Sequence, residues 1–156
     1  MTVTREDLGY WRDPDDLLRA LVDATPDLRD AVRPLVDHAD SDIREEAIRK
    51  LYVSWDDRDT RDEVVRLFAS DPVPEVRRTA AFGVAGTSTD RTRRDDTKVL
   101  LKTLHDPAEG LAVRGSAYEA LLLMYHRAGF PPVKREIDLK DDVDWTWIRE
   151  LERAVG

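Results

Sequence analysis

Three arginines, Arg44, Arg77 and Arg114, each follow a β-branched residue, and they stand one repeat apart along the chain. Cations at that spacing can line up against phosphates. They can also each hold a carboxylate in a turn and knit neighbouring segments together, since a guanidinium takes a carboxylate with two parallel bonds. Acids stand beside every one of them: Asp37, Asp40 and Asp42 near the first, Asp71 near the second, Asp106 near the third. An internal ladder is therefore the expected role. A further basic run, Arg91, Arg93, Arg94 and Lys98, is interleaved with Asp90, Asp95 and Asp96 and has no aromatic on which a base could stack. It reads as a solvated helix entrance. Acidic clusters at Asp56, Asp57, Asp59 and Asp62, and at Asp138, Asp141, Asp142 and Asp144, lack the glycine turn and closing glutamate of a calcium loop. Each precedes a helical stretch, where carboxylates favour the N-terminus. His38, His105 and His126 are dispersed and form no His-x-x-x-His or His-Glu pair. There is no nucleophile elbow and no glycine-rich phosphate loop. No catalytic residue, metal or cofactor is expected.

Composition narrows the class. A chain of 156 residues can bury a sizeable core, and without cysteine it has neither a disulfide framework nor a thiolate zinc site. The opening residues lack the basic-then-apolar order of a secretory signal, and no apolar run reaches the length of a membrane span. A cytoplasmic protein without membrane contact is the expectation. The 33 acids against 25 bases leave a formal charge of −8, which opposes non-specific binding of nucleic acid and favours a basic partner. The chain is 37% charged, yet its apolar residues are periodic, which separates it from a disordered chain.

That period organises the chain. Ile43–Ala47–Leu51, Val76–Ala80–Val84 and Val113–Ala117–Leu121 repeat one pattern, a β-branched residue, then arginine, then alanine and an aliphatic at four-residue steps. Such spacing is one stripe of an α-helix, and the small middle residue lets a neighbour come close. Before each lies another periodic stretch: Leu28, Val32, Leu35 and Val36; Val64, Val65, Leu67 and Phe68; Val99, Leu100, Leu101 and Leu104. Asp71-Pro72 and Asp106-Pro107 stop one helix and open the next. The unit is helix, tight turn, helix, and one such unit cannot bury its own apolar face, so units must stack.

This pattern over residues 26–128 resembles the HEAT-repeat family, in its small bacterial members. The resemblance implies an all-α superhelix of about three helix pairs, a right-handed stack of about eight helices in all. Residues 1–25 and 129–156 then cap its ends. A leading helix is expected over 14–24, with Tyr10 and Trp11 folded back on it, and a closing helix over 142–155. Links at 87–95 and 129–141 are longer than the tight turns.

In solenoids of this kind the second helices line the concave face, so the resemblance points to Glu45, Arg49, Tyr52, Trp55, Arg78, Phe82, Glu119 and Tyr125 as partner-binding residues. Aromatics and arginines on one surface make anchors for a protein partner, although Tyr52 and Phe82 also suit packing between repeats. Trp145 and Trp147 cannot share one side of the closing helix. Trp145 is in phase with Ile148 and is expected inside, while Trp147 is expected outside, beside Phe130-Pro131-Pro132, as a contact residue. The function implied is a non-enzymatic interaction scaffold. Narrower alternatives within the resemblance are an immunity or antitoxin-like protein facing a basic toxin, and a HEAT-like DNA glycosylase, which Glu45, Glu46, Glu75 and Glu119 among the arginines disfavour. Nothing selects for a pigment or prosthetic-group chaperone.

Overall fold

Helix starts are set by the residues that supply the missing acceptors. In the computed structural model, which describes residues 2–127 and 136–156, Pro14 opens α1 (Pro14–Asp23), and the Asp13 carboxylate accepts from the amides of Asp15 and Asp16. Asp40 does the same for α3 (Ser41–Ile48) through Asp42 and Ile43. Pro74 stands at the head of α5 (Pro74–Thr87). The remaining long helices are α4 (Arg61–Ser70), α6 (Arg93–His105), α7 (Leu111–Met124) and α8 (Trp145–Val155). There is no strand among the described residues.

The first unit departs from regular geometry in both halves. Its leading stretch is a 3-10 turn (Pro26–Leu28), one turn of α-helix, α2 (Arg29–Val32), and a second 3-10 turn (Arg33–Asp37). Pro34 lies inside it and has no amide to donate back along the chain. Its second helix, α3, runs on into a π-helical turn (Arg49–Ser54), closed by the Trp55 amide on the Lys50 carbonyl.

The periodic stripes do what their spacing predicts. All nine positions, from Ile43 to Leu121, are at most 1% exposed, and burying each Val, Leu or Ile contributes roughly 1.5–3 kcal/mol. Packing runs in chain order: α1 against α3, α3 against α5, α5 against α7, with α4 on α5, α6 on α7 and α8 on α6. At Gly83 the approach is closest. A Cβ there would sit 2.7 Å from Cγ2 of Val64 and 3.0 Å from Cβ of Tyr52, both fully enclosed. Glycine inside a helix costs about 1 kcal/mol relative to alanine, and here it lets α5 lie against α4 and the π turn.

The arginine ladder forms and links successive units. Arg44 takes Asp71 with both Nε (2.9 Å) and Nη2 (3.0 Å), and its Nη1 donates to the carbonyls of His38 and Ala39. Arg77 donates to the Asp71 carbonyl and to Oε1 of Glu109 in the next turn (2.7 Å). Arg114 is held by the Leu104 carbonyl rather than by Asp106.

A second ladder has no counterpart in the sequence reading. Arg33 takes the buried Asp57 with two bonds of 2.9 Å, Arg61 takes the buried Asp96 at 2.6 Å, and Arg94 donates to the carbonyls of Val155 and Gly156. Asp57 is thus an ion-pair partner and not a helix cap, and Asp96 is a buried ion-pair partner rather than a solvated residue of the helix entrance. Arg94 stays exposed, as expected of the helix entrance, and in addition ties α6 to the end of α8.

These pairs carry a pH signature. Burial works to raise the carboxyls of Asp57 and Asp71, but bonds from Arg33 and Thr60, and from Arg44 and the Val73 amide, outweigh it and hold both below the ordinary value. A depressed native value means the contribution is complete above the unfolded carboxyl range, about 4, and is lost as pH falls through the lower native values. The thermal midpoint therefore falls in acid, and the Asp71→Ala variant shows a shallower acid limb when the two are melted across pH. Parallel limbs would remove Asp71 from the explanation.

The ends are revised. The closing helix starts at Trp145, not at 142, because Asp144 supplies its cap through the Trp147 amide. Tyr10 stacks on His38, with ring centroids 4.5 Å apart, while Trp11 is 85% exposed, so neither folds back on α1 as expected. The link after α5 is shorter than 87–95, since Thr87 ends α5 and Arg93 begins α6. Of the second link, 129–135 lies outside the described residues; at 138–142 the Asp138 carboxylate accepts from the amides of Lys140 and Asp141. No helix of the described residues is long and apolar enough to cross a membrane.

Candidate interaction face

On the second helices α3, α5 and α7, residues four apart share a face. Glu45–Arg49–Val53 on α3 and its π turn and Arg78–Phe82–Gly86 on α5 run side by side in this way, with the buried Ser116 of α7 and, farther along, Leu123 next to them. The first turns of this face are polar and cross-linked. Arg49 is gripped by Glu45 (2.7 Å) and Glu46 (2.8 Å) on its own helix. Thr79 of α5 donates across to Oε1 of Glu45 at 2.9 Å, and Arg78 reaches Oγ of Ser116 on α7 at 3.3 Å. A polar strip of two bonded groups, Glu45 with Arg49 and Thr79, and Arg78 with Ser116, thereby spans three helices.

Farther along the same helices the face opens into a groove of about 390 Å³. Val53, Phe82, Leu123 and Met124 supply apolar lining, and Arg58, Arg93 and His126 supply polar groups. Two residues with left-handed backbone shape its ends: Asp56 (φ 51°) and His126 (φ 55°), each just past the end of a second helix. Asp and His tolerate that region better than most non-glycine residues. Arg58 is braced by Asp56 at 2.8 Å and Arg93 by Asp90 at 3.2 Å.

The structure divides the residues expected on this face. Glu45, Arg49, Arg78 and Phe82 come together on it, half-buried or exposed. Tyr52 does not: it is buried, and its hydroxyl bonds the carbonyl and hydroxyl of Thr60. Burial pushes its phenol up to about 12, against the opposing bond from Thr60. Glu119 is buried too. Tyr125 is half-buried, with its hydroxyl 2.8 Å from Oγ1 of Thr97. Trp55 stands at the edge, its carbonyl accepting from Arg29 and its ring 5.9 Å from the Lys50 ammonium, which is itself bonded to the Val22 and Ala24 carbonyls.

Trp147 is the clearest reversal. It is 7% exposed, packed edge-on to Tyr118 and Tyr125 with the Arg127 guanidinium 4.7 Å from its ring centre, while Trp145 is only half-buried. At about 100° per residue, Trp147 flanks the centre of the Ile148, Leu151 and Val155 stripe by roughly 75° on one side and Trp145 by roughly 90° on the other, so phase alone barely separates them. Packing against Tyr118 and Tyr125 is what encloses Trp147. The indole N–H of Trp145 donates to the Leu139 carbonyl instead. The expected neighbour of Trp147, Phe130-Pro131-Pro132, lies outside the described residues.

Sequence reasoning missed Arg58, Arg93 and His126 as lining. Only the left-handed residues could have signalled them, and Asp56 and His126 carry no glycine to mark the turns. Among the described residues no three acidic or histidine side chains converge as metal ligands would.

Comparison with known proteins returned no matching family model, no similar curated protein and no similar solved structure.

Proposed function

We propose that this chain is a non-enzymatic interaction module of HEAT-like build, cytoplasmic, that receives a segment of a partner protein on the face of α3, α5 and α7. The observation that supports this most is the groove over Phe82, which continues the polar strip from Glu45 to Ser116 along the same helices. A strip whose side chains already hold one another needs little ordering when a partner arrives, and side-chain ordering otherwise costs about 0.5–1.5 kcal/mol for each residue immobilised. An apolar pocket at its end is where binding energy concentrates.

The narrower reading, an immunity-type protein that neutralises a basic toxin, is favoured by the formal charge of −8. Nucleic acid is the weaker alternative, because Glu45 and Glu46 occupy Arg49 where a phosphate would need it.

The test is retention of a partner from the source cells on the immobilised chain and on its Phe82→Asp variant. Phe82 is half-buried at the groove, so its replacement is expected to lower retention at least tenfold with the circular dichroism of the helices preserved. A partner held equally by both proteins, or none held in stoichiometric amount by the parent, would count against this face.

A further inference from the structure

We infer that the groove over Phe82 takes an acidic apolar segment, a hydrophobic side chain flanked by a carboxylate, and not the basic segment that the net charge suggests. This rests on the reading of the α3–α5–α7 face as a docking surface. The chain carries 33 acids against 25 bases, yet none of the described lining residues of this groove is an acid, while Arg58, Arg93 and His126 all are lining residues. Net charge does not decide what happens here, because solvent screens charges beyond about 10 Å at 0.1 M salt. What decides is the set of groups within reach: two guanidiniums in the lining around an apolar floor, with the acids Asp56 and Asp90 bonded to them from outside the lining.

The two arginines are built to accept an anion. Asp56 engages Nε of Arg58, and Asp90 engages Nη2 of Arg93. Each guanidinium has five N–H donors in a fixed fork, so one acid behind it orients the group without exhausting it. The side chains remain 53% and 41% exposed, open to a second carboxylate. Beneath them Phe82, Leu123 and Met124 offer apolar area, and methionine adapts its shape to the side chain it meets. A lysine or arginine in the occupant would place like charges together at this site. An aspartate, a glutamate or a terminal carboxylate beside a leucine or phenylalanine meets both halves of the groove. The volume, about 390 Å³, is at the small end for a ligand pocket, roughly 300–1,000 Å³, and suits one or two side chains.

The experiment is selection of displayed random peptides on the intact chain, followed by titration of enriched peptides, made synthetically and dye-labelled, by fluorescence anisotropy. Enriched peptides are expected to pair an apolar residue with an adjacent acid, and to bind Arg58→Gln/Arg93→Gln at least tenfold more weakly. Arg58→Lys/Arg93→Lys should restore part of the affinity, and single Arg58→Gln serves if the double variant loses helix. Enriched peptides that are basic or acid-free, or binding unchanged in the glutamine variants, would overturn the acidic assignment while leaving the face intact. Enriched peptides that bind Phe82→Asp as well as the parent would instead remove the face itself, as would a selection that enriches nothing.

Discussion

Asp71→Ala lowers the stability of this protein by about 3–5 kcal/mol, the usual consequence of leaving one member of a buried pair alone. Asp71 is 2% exposed and Arg44 11%, and they share two bonds near 2.9 Å. The same carboxylate accepts from the Val73 amide at 2.9 Å at the entry to α5, and its carbonyl accepts from Arg77. One side chain thus holds the turn of the second unit and its neighbour before it, while the backbone carbonyl of the same residue starts the next rung. For a chain of this length the thermal midpoint moves about 2–4 °C per kcal/mol, so a shift of roughly 6–20 °C is expected in a melt followed by circular dichroism. Replacing both partners by apolar residues, Arg44→Met with Asp71→Leu, should cost less than Asp71→Ala alone, because no charge is left behind without its partner. A loss below about 1 kcal/mol for Asp71→Ala would mean the pair behaves as a surface bridge and the ladder holds nothing together.

Trp147→Ala has an effect of similar size, about 3–5 kcal/mol, through a cavity where the indole was. The lost contacts are specific: Tyr118 at 6.3 Å and Tyr125 at 6.0 Å between ring centres, and the Arg127 guanidinium on its face. Because Tyr125 also reaches Thr97 of α6, and Tyr118 takes the amide of Asp144, the cavity would loosen the seating of α8 against the bundle. The variant should unfold at lower denaturant. Trp145→Ala, at a half-buried position held by one indole bond to Leu139, should cost less. If the two variants exchanged rank, the burial pattern of α8 would be the reverse of that described.

The helix pairs are legible in the sequence because their signal is local. A stripe such as Val76, Ala80 and Val84 spans nine residues, and helical geometry alone converts that spacing into one buried side. The Asp-Pro turns and the Asp13 and Asp40 caps are equally short-range. The role of Arg44 was legible in kind, since acids crowd its surroundings. Which acid it would take was not, because Asp37, Asp40 and Asp42 lie nearer in the chain than Asp71. The choice falls to the stacking of one unit on the next.

Other features are long-range and had no local trace. Arg33 meets Asp57 across 24 residues and Arg61 meets Asp96 across 35. No periodicity links such pairs; they meet because successive units place equivalent ends side by side. The first unit's π turn and broken leading helix follow from packing around Gly83 and from Pro34, not from its apolar pattern. Whether an aromatic is a contact residue or part of the core depends on what stands opposite it. That is why Tyr52 and Trp147 moved inward while Phe82 stayed on the face.

What the sequence by itself determined is an all-helical chain of paired helices tied by arginines, because those properties depend on residues a few positions apart. The tertiary structure alone decided the groove, the two arginines in its lining and which aromatics stay outside the core. These depend on three helix ends and two left-handed turns, Asp56 and His126, brought together from distant parts of the chain.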